Sequence, residues 1–363
     1  MNPVFQNLMS QATRLTQSGD LMAATAAIQA ALRGNTQTTH PAATSKSVLP
    51  DYPSRFDAQV IDVEAHEVRS EGQAYRDPSG QFIAGSFTNT SGTRAYKLYI
   101  PPAAALASVG GDALPLVVML HGCTQNPDDF ALGTGMNALA RQRGFYVLYP
   151  AQTQHANSSR CWNWFKHNHQ ARGRGEPDLL AGMARDVMGR YNIDARRVYV
   201  AGLSAGGAMA AILGDAYPDL FAAVGVHSGL ATGSATDMQG ALSVMRSGAS
   251  TAKRVAASPP TIVFHGDKDA TVHPANGEQV VAASAGAAHA ECTKGHSDNG
   301  RGFTQRVYKD AAGQTVAEHW TVHGAGHAWS GGSARGSYTD AKGPNASEEM
   351  LRFFLANTLP VAH

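Results

Sequence analysis

The sequence predicts an α/β fold in which helices cover both faces of a mainly parallel sheet. Short apolar runs of strand length alternate with segments of helical periodicity from about residue 114 onward. The chain has 363 residues, enough for one large α/β domain with appendages or for two modest domains. Apolar residues make up 43% and charged residues 16%, which is typical of a globular enzyme and unlike a disordered or fibrous chain.

The N-terminal region has its own pattern. Within residues 1–33, apolar side chains recur at the spacing of amphipathic helices on either side of Gly19-Asp20. We expect a helical hairpin that packs on the main body; the alternative is a membrane-surface helix, against which the few Lys and Arg residues argue. Residues 34–58 are rich in Thr, Ser and Pro and predict a linker. The main domain is expected to span residues 59–363.

Strands are predicted at six apolar runs and at two alternating segments. The alternating segments, Val60–Val68 and Ala95–Ile100, are expected to pair as antiparallel edge strands before the parallel part begins. The six apolar runs are Leu114–Leu120, Phe145–Tyr149, Arg197–Ala201, Ala222–His227, Thr261–His265 and Glu318–Val322.

Helical periodicity occupies the intervals between these runs. Asp178 is expected to cap the second of four helices. The four are Met136–Arg143, Leu179–Tyr191, Gly206–Ala216 and Ser347–Asn357. Because parallel strands end at one edge of a sheet, the functional site is expected on the loops at their carboxyl ends.

Charge and cysteine content exclude several classes of protein. The 29 basic and 28 acidic residues nearly cancel, so we expect no nucleic-acid partner and an uncharged or modestly charged substrate. No run of about 18 apolar residues predicts an integral membrane segment. Cys123, Cys161 and Cys292 fit no zinc-ligand pattern, and we expect neither a metal nor another cofactor. One disulfide and one free thiol are compatible with this count.

The strongest local motif is Gly202-Leu203-Ser204-Ala205-Gly206, which lies between a predicted strand and a predicted helix. This context is typical of the nucleophile elbow of the α/β-hydrolase fold, where side chains at the flanking glycines would collide with neighbouring backbone. Ser204 would then stand at a helix N-terminus, which favours developing negative charge. We therefore predict Ser204 as a nucleophile.

A serine nucleophile requires a base and an orienting carboxylate, here in the chain order Ser, Asp, His. Asp267 and Asp269 both follow the run Thr261–His265, and we favour Asp269 because it lies farther into the loop. For the base we favour His327, in a glycine-flanked loop, over His323 at the strand end.

Acyl transfer also requires N–H donors for the oxyanion of the tetrahedral intermediate. The first candidate is the N–H of Ala205, immediately after the nucleophile. The second is the N–H of Cys123, in the loop after Leu114–Leu120, with Gly122 permitting close approach.

Five motifs taken in order resemble those of the polyhydroxybutyrate (short-chain polyhydroxyalkanoate) depolymerase family of esterases, which is related to the feruloyl and acetylxylan esterases. The resemblance covers roughly residues 75–358. The oxyanion motif precedes the serine motif, as in the type 1 arrangement of that family. The motifs are His121-Gly122-Cys123-Thr124-Gln125, Cys161-Trp162-Asn163-Trp164-Phe165, Gly202-Leu203-Ser204-Ala205-Gly206, His265-Gly266-Asp267-Lys268-Asp269 and Gly326-His327-Ala328-Trp329-Ser330.

The resemblance implies a serine esterase that hydrolyses short-chain hydroxyacid polyesters or oligomers through an acyl-enzyme, with Ser204, Asp269 and His327 at matching positions. Feruloyl or acetylxylan ester hydrolysis is the alternative within the enzyme class. A catalytically silent binding scaffold is the alternative of another class, and the complete triad argues against it. No polymer-binding domain is evident, which shifts the expected substrate toward oligomers, amorphous polymer or small esters.

The resemblance also bears on the cysteines and on localisation. Cys123 and Cys161 both lie in family motifs, which implies a disulfide between them and an oxidising compartment. No signal peptide is evident, so the sequence alone indicates the cytoplasm, whereas the resemblance implies a secreted or periplasmic protein.

Three tryptophans lie close to the predicted catalytic residues in the sequence. Trp329, Trp162 and Trp164 are candidates to line an apolar substrate cleft. The alternative is that they belong to the core.

Overall fold

The computed structural model describes residues 79–248, 258–286, 288–298 and 300–360. The helical hairpin, the linker and the strand predicted within residues 1–68 lie outside the described residues. In the described part of the chain, no helix is both long and apolar enough to cross a membrane.

Ten strands form one sheet, in the order β1-β2-β4-β3-β5-β6-β7-β10-β9-β8. Strands β4, β3, β5, β6, β7 and β10 are mutually parallel, while β1, β2, β8 and β9 extend the two edges in antiparallel fashion. The strands are β1 (Gln81–Asn89), β2 (Gly92–Ile100), β3 (Leu114–Leu120), β4 (Tyr146–Pro150), β5 (Ile193–Leu203), β6 (Ala223–His227), β7 (Thr261–Gly266), β8 (His289–His296), β9 (Gly302–Lys309) and β10 (Thr315–Val322). Two short strands, β11 (Trp329–Ser330) and β12 (Thr339–Asp340), pair separately.

The described helices lie between and after these strands. They are α1 (Ala104–Ala107), α2 (Pro127–Thr134), α3 (Met136–Arg143), α4 (Gly175–Arg190), α5 (Ala205–Ala216), α6 (Met238–Ser247), α7 (Ala275–Ala285) and α8 (Ala346–Leu355), with a 3₁₀ turn at His167–His169. The mainly parallel sheet and its helices form the predicted α/β-hydrolase fold. All six apolar runs are strands and all four periodic segments are helices, with shifts mainly at their ends.

The core occupies both faces of the sheet. Val118 and Leu120 of β3 face one buried cluster, together with apolar residues of α4 and α5. Val117 and Met119 face the other, together with apolar residues of α3 and α8. Because both faces of the parallel strands are covered, their sequences are continuously apolar, which made them easy to predict. The loops that follow these strands lie at the edge formed by the carboxyl ends of the strands.

Ala95–Ile100 lies in β2, whose outer partner is β1 and whose inner partner is β4. The partner predicted for it, Val60–Val68, lies outside the described residues. Strand β1 escaped prediction because it buries little on either face and lacks a clean apolar alternation. Asp178 does not cap α4, which begins at Gly175. Its carboxylate instead accepts hydrogen bonds from Asn89 and Ser91, both at 2.9 Å.

Candidate active site

The nucleophile elbow is formed by backbone crowding between β5 and α5. Ser204 has φ 58° and ψ −119°, a conformation that L-residues rarely adopt. A Cβ atom at Gly202 would lie 2.3 Å from the carbonyl carbon of Gly206, and one at Gly206 would lie 2.1 Å from the oxygen of Leu120. Only glycine fits at these two positions, as the sequence motif predicts.

The carboxylate and the histidine favoured by the sequence lie together at the same edge of the sheet. Asp269 Oδ2 accepts a hydrogen bond from Nδ1–H of His327 at 2.7 Å. Its Oδ1 accepts the N–H groups of Thr271 and Val272, each at 2.9 Å. The Asp269 side chain has no exposed surface, and that of His327 is 12% exposed.

The rival residues form a second pair. Nδ1 of His323 lies 3.0 Å from Oδ2 of Asp267, and Nε2 of His323 lies 2.9 Å from the hydroxyl of Thr304. This pair is open to solvent, with side chains 45% and 34% exposed. Both ring nitrogens of His323 therefore have polar partners, and the His323–Asp267 pair is accessible to solvent rather than enclosed.

The electrostatic environment keeps Asp269 ionised. Burial alone would raise the pKa of Asp269, but hydrogen bonds from His265 and His327 outweigh it and hold the pKa far below its usual value. A carboxylate that remains negative can orient an imidazole and stabilise its protonated form.

His227 connects the elbow to the loop that carries His327. Its carbonyl accepts the N–H of Ser204 at 2.8 Å, and its Nε2 accepts the N–H of Ser330 at 2.9 Å. Its ring stacks on that of Trp329 with 5.1 Å between centroids. Burial, with the nearby His265 and His327, lowers the pKa of His227 to about 3, so its ring is neutral.

The two backbone amides predicted as oxyanion donors follow strands that are neighbours in the sheet. Ala205 is the first residue of α5, and Cys123 follows β3, which pairs with β5. Within the described part of the chain, neither the N–H of Ala205 nor that of Cys123 donates a hydrogen bond. Both amides therefore remain available to a ligand.

The loop after β3 is fixed from several sides. Gly122 N–H donates to the side-chain oxygen of Gln125 at 2.9 Å. His121 Nε2 accepts the N–H of Gln152 at 3.1 Å, and the His121 carbonyl accepts the indole N–H of Trp162 at 3.1 Å. Burial lowers the pKa of His121 to about 4, so its ring is neutral.

A disulfide joins Cys123 to Cys161, in the loop after β4. That loop rests on the buried carboxylate of Glu176, which accepts hydrogen bonds from the N–H and side-chain amide of Asn163 at 2.7 and 2.8 Å. Burial would raise the pKa of Glu176, but hydrogen bonds from His169, Gln152 and Asn163 outweigh it and lower the pKa. The loop bearing the Cys123 amide is thus tied to a rigid, charged anchor.

The three tryptophans proposed as cleft candidates lie in the buried clusters of the core, which was the alternative interpretation. Trp162 is 0% and Trp329 1% exposed, and Trp164 is also buried. Trp329 packs edge-on against Phe130 and donates its indole N–H to the hydroxyl of Ser347 at 3.0 Å. Trp162 and Trp329 lie near the catalytic candidates in sequence because they pack under the same loops and donate hydrogen bonds to neighbouring segments.

Three side chains around the site had no predicted role. His227 ends a predicted strand, His265 precedes the Gly-Asp turn and Gln125 ends the His-Gly-Cys-Thr-Gln motif. Each lies at the carboxyl end of a strand, and this position is the signal that identifies them. Among the described residues, no group of three or more His, Cys, Asp or Glu side chains is placed to hold a metal ion.

The sequence is similar to those of known esterases. A family model described as esterase PHB depolymerase matches residues 94–287. Poly(3-hydroxyalkanoate) depolymerase C of Paucimonas lemoignei is 36% identical over 228 residues, which cover 59% of this chain and 54% of that protein. Acetylxylan esterase A of Talaromyces purpureogenus is 29% identical over 219 residues, which cover 54% of each protein. The matched part of the chain thus spans about half the length of these relatives.

A solved structure shares the fold. The acetyl xylan esterase from Aspergillus awamori superposes with a TM-score of 0.57 at 19% identity, covering 76% of this chain and 99% of that chain.

Proposed function

Because the chain belongs to the esterase PHB depolymerase family, we propose that it is a serine esterase that hydrolyses short-chain hydroxyacid polyesters or their oligomers. The observation that carries this proposal is the buried 2.7 Å contact between Asp269 and His327 at the sheet edge that also bears the Ser204 elbow. The depolymerase named among the relatives supports the choice of polyester substrates.

In the proposed mechanism, Ser204 Oγ attacks the ester carbonyl while Nε2 of His327 takes the serine proton. Since Nδ1–H of His327 is held by Asp269, the lone pair of the neutral ring lies on Nε2. The protonated ring then gives its proton to the leaving alcohol as the carbon–oxygen bond breaks. A water molecule hydrolyses the resulting acyl-enzyme by the same route in reverse order.

The amides of Cys123 and Ala205 are the proposed donors to the oxyanion that forms in both steps. Removing one such donor typically costs about a hundredfold or more in rate. The disulfide and the hydrogen bonds that fix the loop after β3 support this role, because they hold the Cys123 amide in place before substrate arrives.

The disulfide also supports an oxidising location. Disulfides form and persist in secreted or periplasmic proteins and are rare in the cytoplasm. We therefore place the enzyme in a secreted or periplasmic setting.

The nucleophile is tested by labelling the purified chain with a fluorophosphonate and mapping the modified peptide. The label is expected on Ser204 of the wild type and is expected to be absent from Ser204→Ala. Hydrolysis of p-nitrophenyl butyrate should fall by about 10⁴-fold or more in the same variant. Ser243→Ala, at an exposed serine of α6, is the matched control and should label normally. Full activity of Ser204→Ala would refute the proposed nucleophile.

Acetylxylan or feruloyl ester hydrolysis is the second candidate, and the similarity to acetylxylan esterase A favours it. Hydroxybutyrate trimer, acetylated xylan and methyl ferulate should be assayed side by side with the same enzyme. We expect the highest kcat/KM on the hydroxybutyrate trimer. Turnover of the other two esters alone would overturn the proposed substrate while leaving the serine mechanism intact.

A further inference from the structure

A second histidine contacts the proposed catalytic carboxylate from inside the protein. His265 lies in β7 and is 1% exposed. Its Nε2 lies 2.9 Å from the carbonyl oxygen of Val272 and 3.4 Å from Oδ2 of Asp269. Its Nδ1 is buried and has no hydrogen-bond partner among the described residues.

These contacts define what the ring donates. Only Nε2 faces acceptors, a carbonyl and a carboxylate oxygen. Nε2 therefore carries a hydrogen and donates it. His265 is a donor toward the Asp269 loop and has no proton-accepting contact with it.

The same residues form a small ring of polar contacts, two of which are hydrogen bonds. Val272 donates its N–H to Oδ1 of Asp269 at 2.9 Å and accepts from His265 through its carbonyl. Asp269 is thereby held at both oxygens, while Oδ2 also faces His327. Movement of the Asp269 carboxylate requires the loss of these contacts together.

From this arrangement we infer that His265 is a positioning residue for Asp269, fixing the carboxylate at the angle that orients His327. The inference rests on the proposed serine esterase function. His265 is not itself a catalytic residue, because its ring is enclosed beneath the loop and has no surface for substrate.

The space around His265 supports the inference. A Cβ atom at Gly277 of α7 would lie 2.7 Å from Nδ1 of His265. The helix thus approaches the ring as closely as glycine permits and leaves no room for a partner at that nitrogen from this residue. A buried polar atom without a partner is costly, so the unpartnered Nδ1 is a feature that calls for a functional explanation.

The charged and titratable groups around His265 come from several elements. Asp269 and His327 lie on the loops after β7 and β10, His227 lies on β6 and His319 lies on β10. Burial is the main cause that lowers the pKa values of His227 and His319 to about 3. Both rings are therefore neutral near neutral pH.

The test compares His265→Leu with His265→Gln, whose amide nitrogen can replace the Nε2–H donor. We expect His265→Leu to lower kcat for p-nitrophenyl butyrate by about tenfold and to change KM by less than about twofold. Loss of a donor makes the Asp269 carboxylate a stronger partner for protonated His327, so the acid limb of kcat/KM should move to higher pH. His265→Gln should restore most of kcat and the wild-type limb.

A second variant displaces the ring without changing its chemistry. Gly277→Ala pushes a methyl group against Nδ1 and should lower kcat in the same direction. Gly189→Ala, also a helical glycine but with open space around it, is the matched control and should match the wild type.

The outcomes separate the inference from the proposed function. If His265→Leu keeps the wild-type kcat and acid limb, the inference is overturned. If His265→Leu fails to fold, Gly277→Ala decides, and wild-type kinetics in that variant would overturn it. Failure of the proposed function would appear instead as full activity in Ser204→Ala.

Discussion

Two aspartates and two histidines near the sheet edge form two similar Asp–His pairs, and the two pairs differ in burial. Asp267 contacts His323 and Asp269 contacts His327, at 3.0 and 2.7 Å. In water the first pair is screened, whereas the enclosed Asp269 acts on its histidine at low dielectric. The order of residues along the chain cannot reveal this difference.

Substitution of each aspartate by asparagine tests which pair supports catalysis. Asp269→Asn should lower kcat for p-nitrophenyl butyrate by about 10³- to 10⁴-fold, because an amide no longer selects the productive histidine tautomer. Asp267→Asn is the matched control and should lower kcat by less than about threefold. Equal losses in both variants would contradict the assignment to Asp269.

The candidate residues could be predicted from the sequence because they lie in motifs whose spacing is set by backbone sterics and strand order. The glycines around Ser204 are such a case, since their absence of side chains is required by contacts that any elbow makes. Burial is set by distant parts of the chain instead. For this reason Trp329 and Trp162 could not be recognised as core residues, nor His265 as a partner of Asp269.

The loop after β4 is the element that most directly supports the proposed oxyanion amide. Its disulfide to Cys123 spans 38 residues, and the chain-entropy model assigns such a closure about 4 kcal/mol. Glu176, buried in α4, anchors the same loop through Asn163. A covalent restraint and hydrogen bonds to a buried carboxylate therefore act on one segment.

Removal of the disulfide should affect both stability and catalysis. In the double variant Cys123→Ser/Cys161→Ser, the free energy of unfolding measured in guanidinium is expected to fall by about 2–4 kcal/mol. We also expect kcat to fall by a larger factor than that by which KM changes. Cys292→Ser, at the exposed free cysteine, is the matched control and should resemble the wild type. Unchanged unfolding midpoints in the double variant would contradict the expected role.

Elements differ in how well the sequence predicts them. The central strands are buried on both faces and were predicted nearly to their ends. Strands β1, β8 and β9 were not predicted, because β1 and β8 are edge strands and β9 lies next to one, where burial is low and the apolar pattern is weak. The partner of an edge strand is set by the whole sheet rather than by its own residues.

The molecule as a whole buries several histidines in neutral form. Burial is the largest cause that lowers the pKa of His121 to about 4 and those of His227 and His319 to about 3. The unfolded chain binds protons at these side chains below about pH 6.5, whereas the folded chain does not until the pH approaches 3 to 4. The folded state therefore loses stability progressively as the pH falls from 6.5.

We expect each of these histidines to contribute about 2 kcal/mol of destabilisation between pH 6.5 and pH 5. Urea unfolding at several pH values measures this loss. His319→Gln should show a shallower dependence on pH than the wild type, whereas His155→Gln, at an exposed histidine, should keep the wild-type slope. Identical slopes in all three proteins would contradict the expectation.

The crowding at the elbow links the conformation of one serine to the assembly of the central sheet. Gly206 fits against the carbonyl of Leu120, and Leu120 pairs with Gly202 across β3 and β5. These residues are about 80 positions apart in the chain, so we expect the unusual backbone of Ser204 to form only after the two strands have paired. The rate at which Ser204 becomes reactive toward fluorophosphonate during refolding should therefore report the pairing of these strands. Labelling should lag behind the recovery of the helical circular dichroism signal.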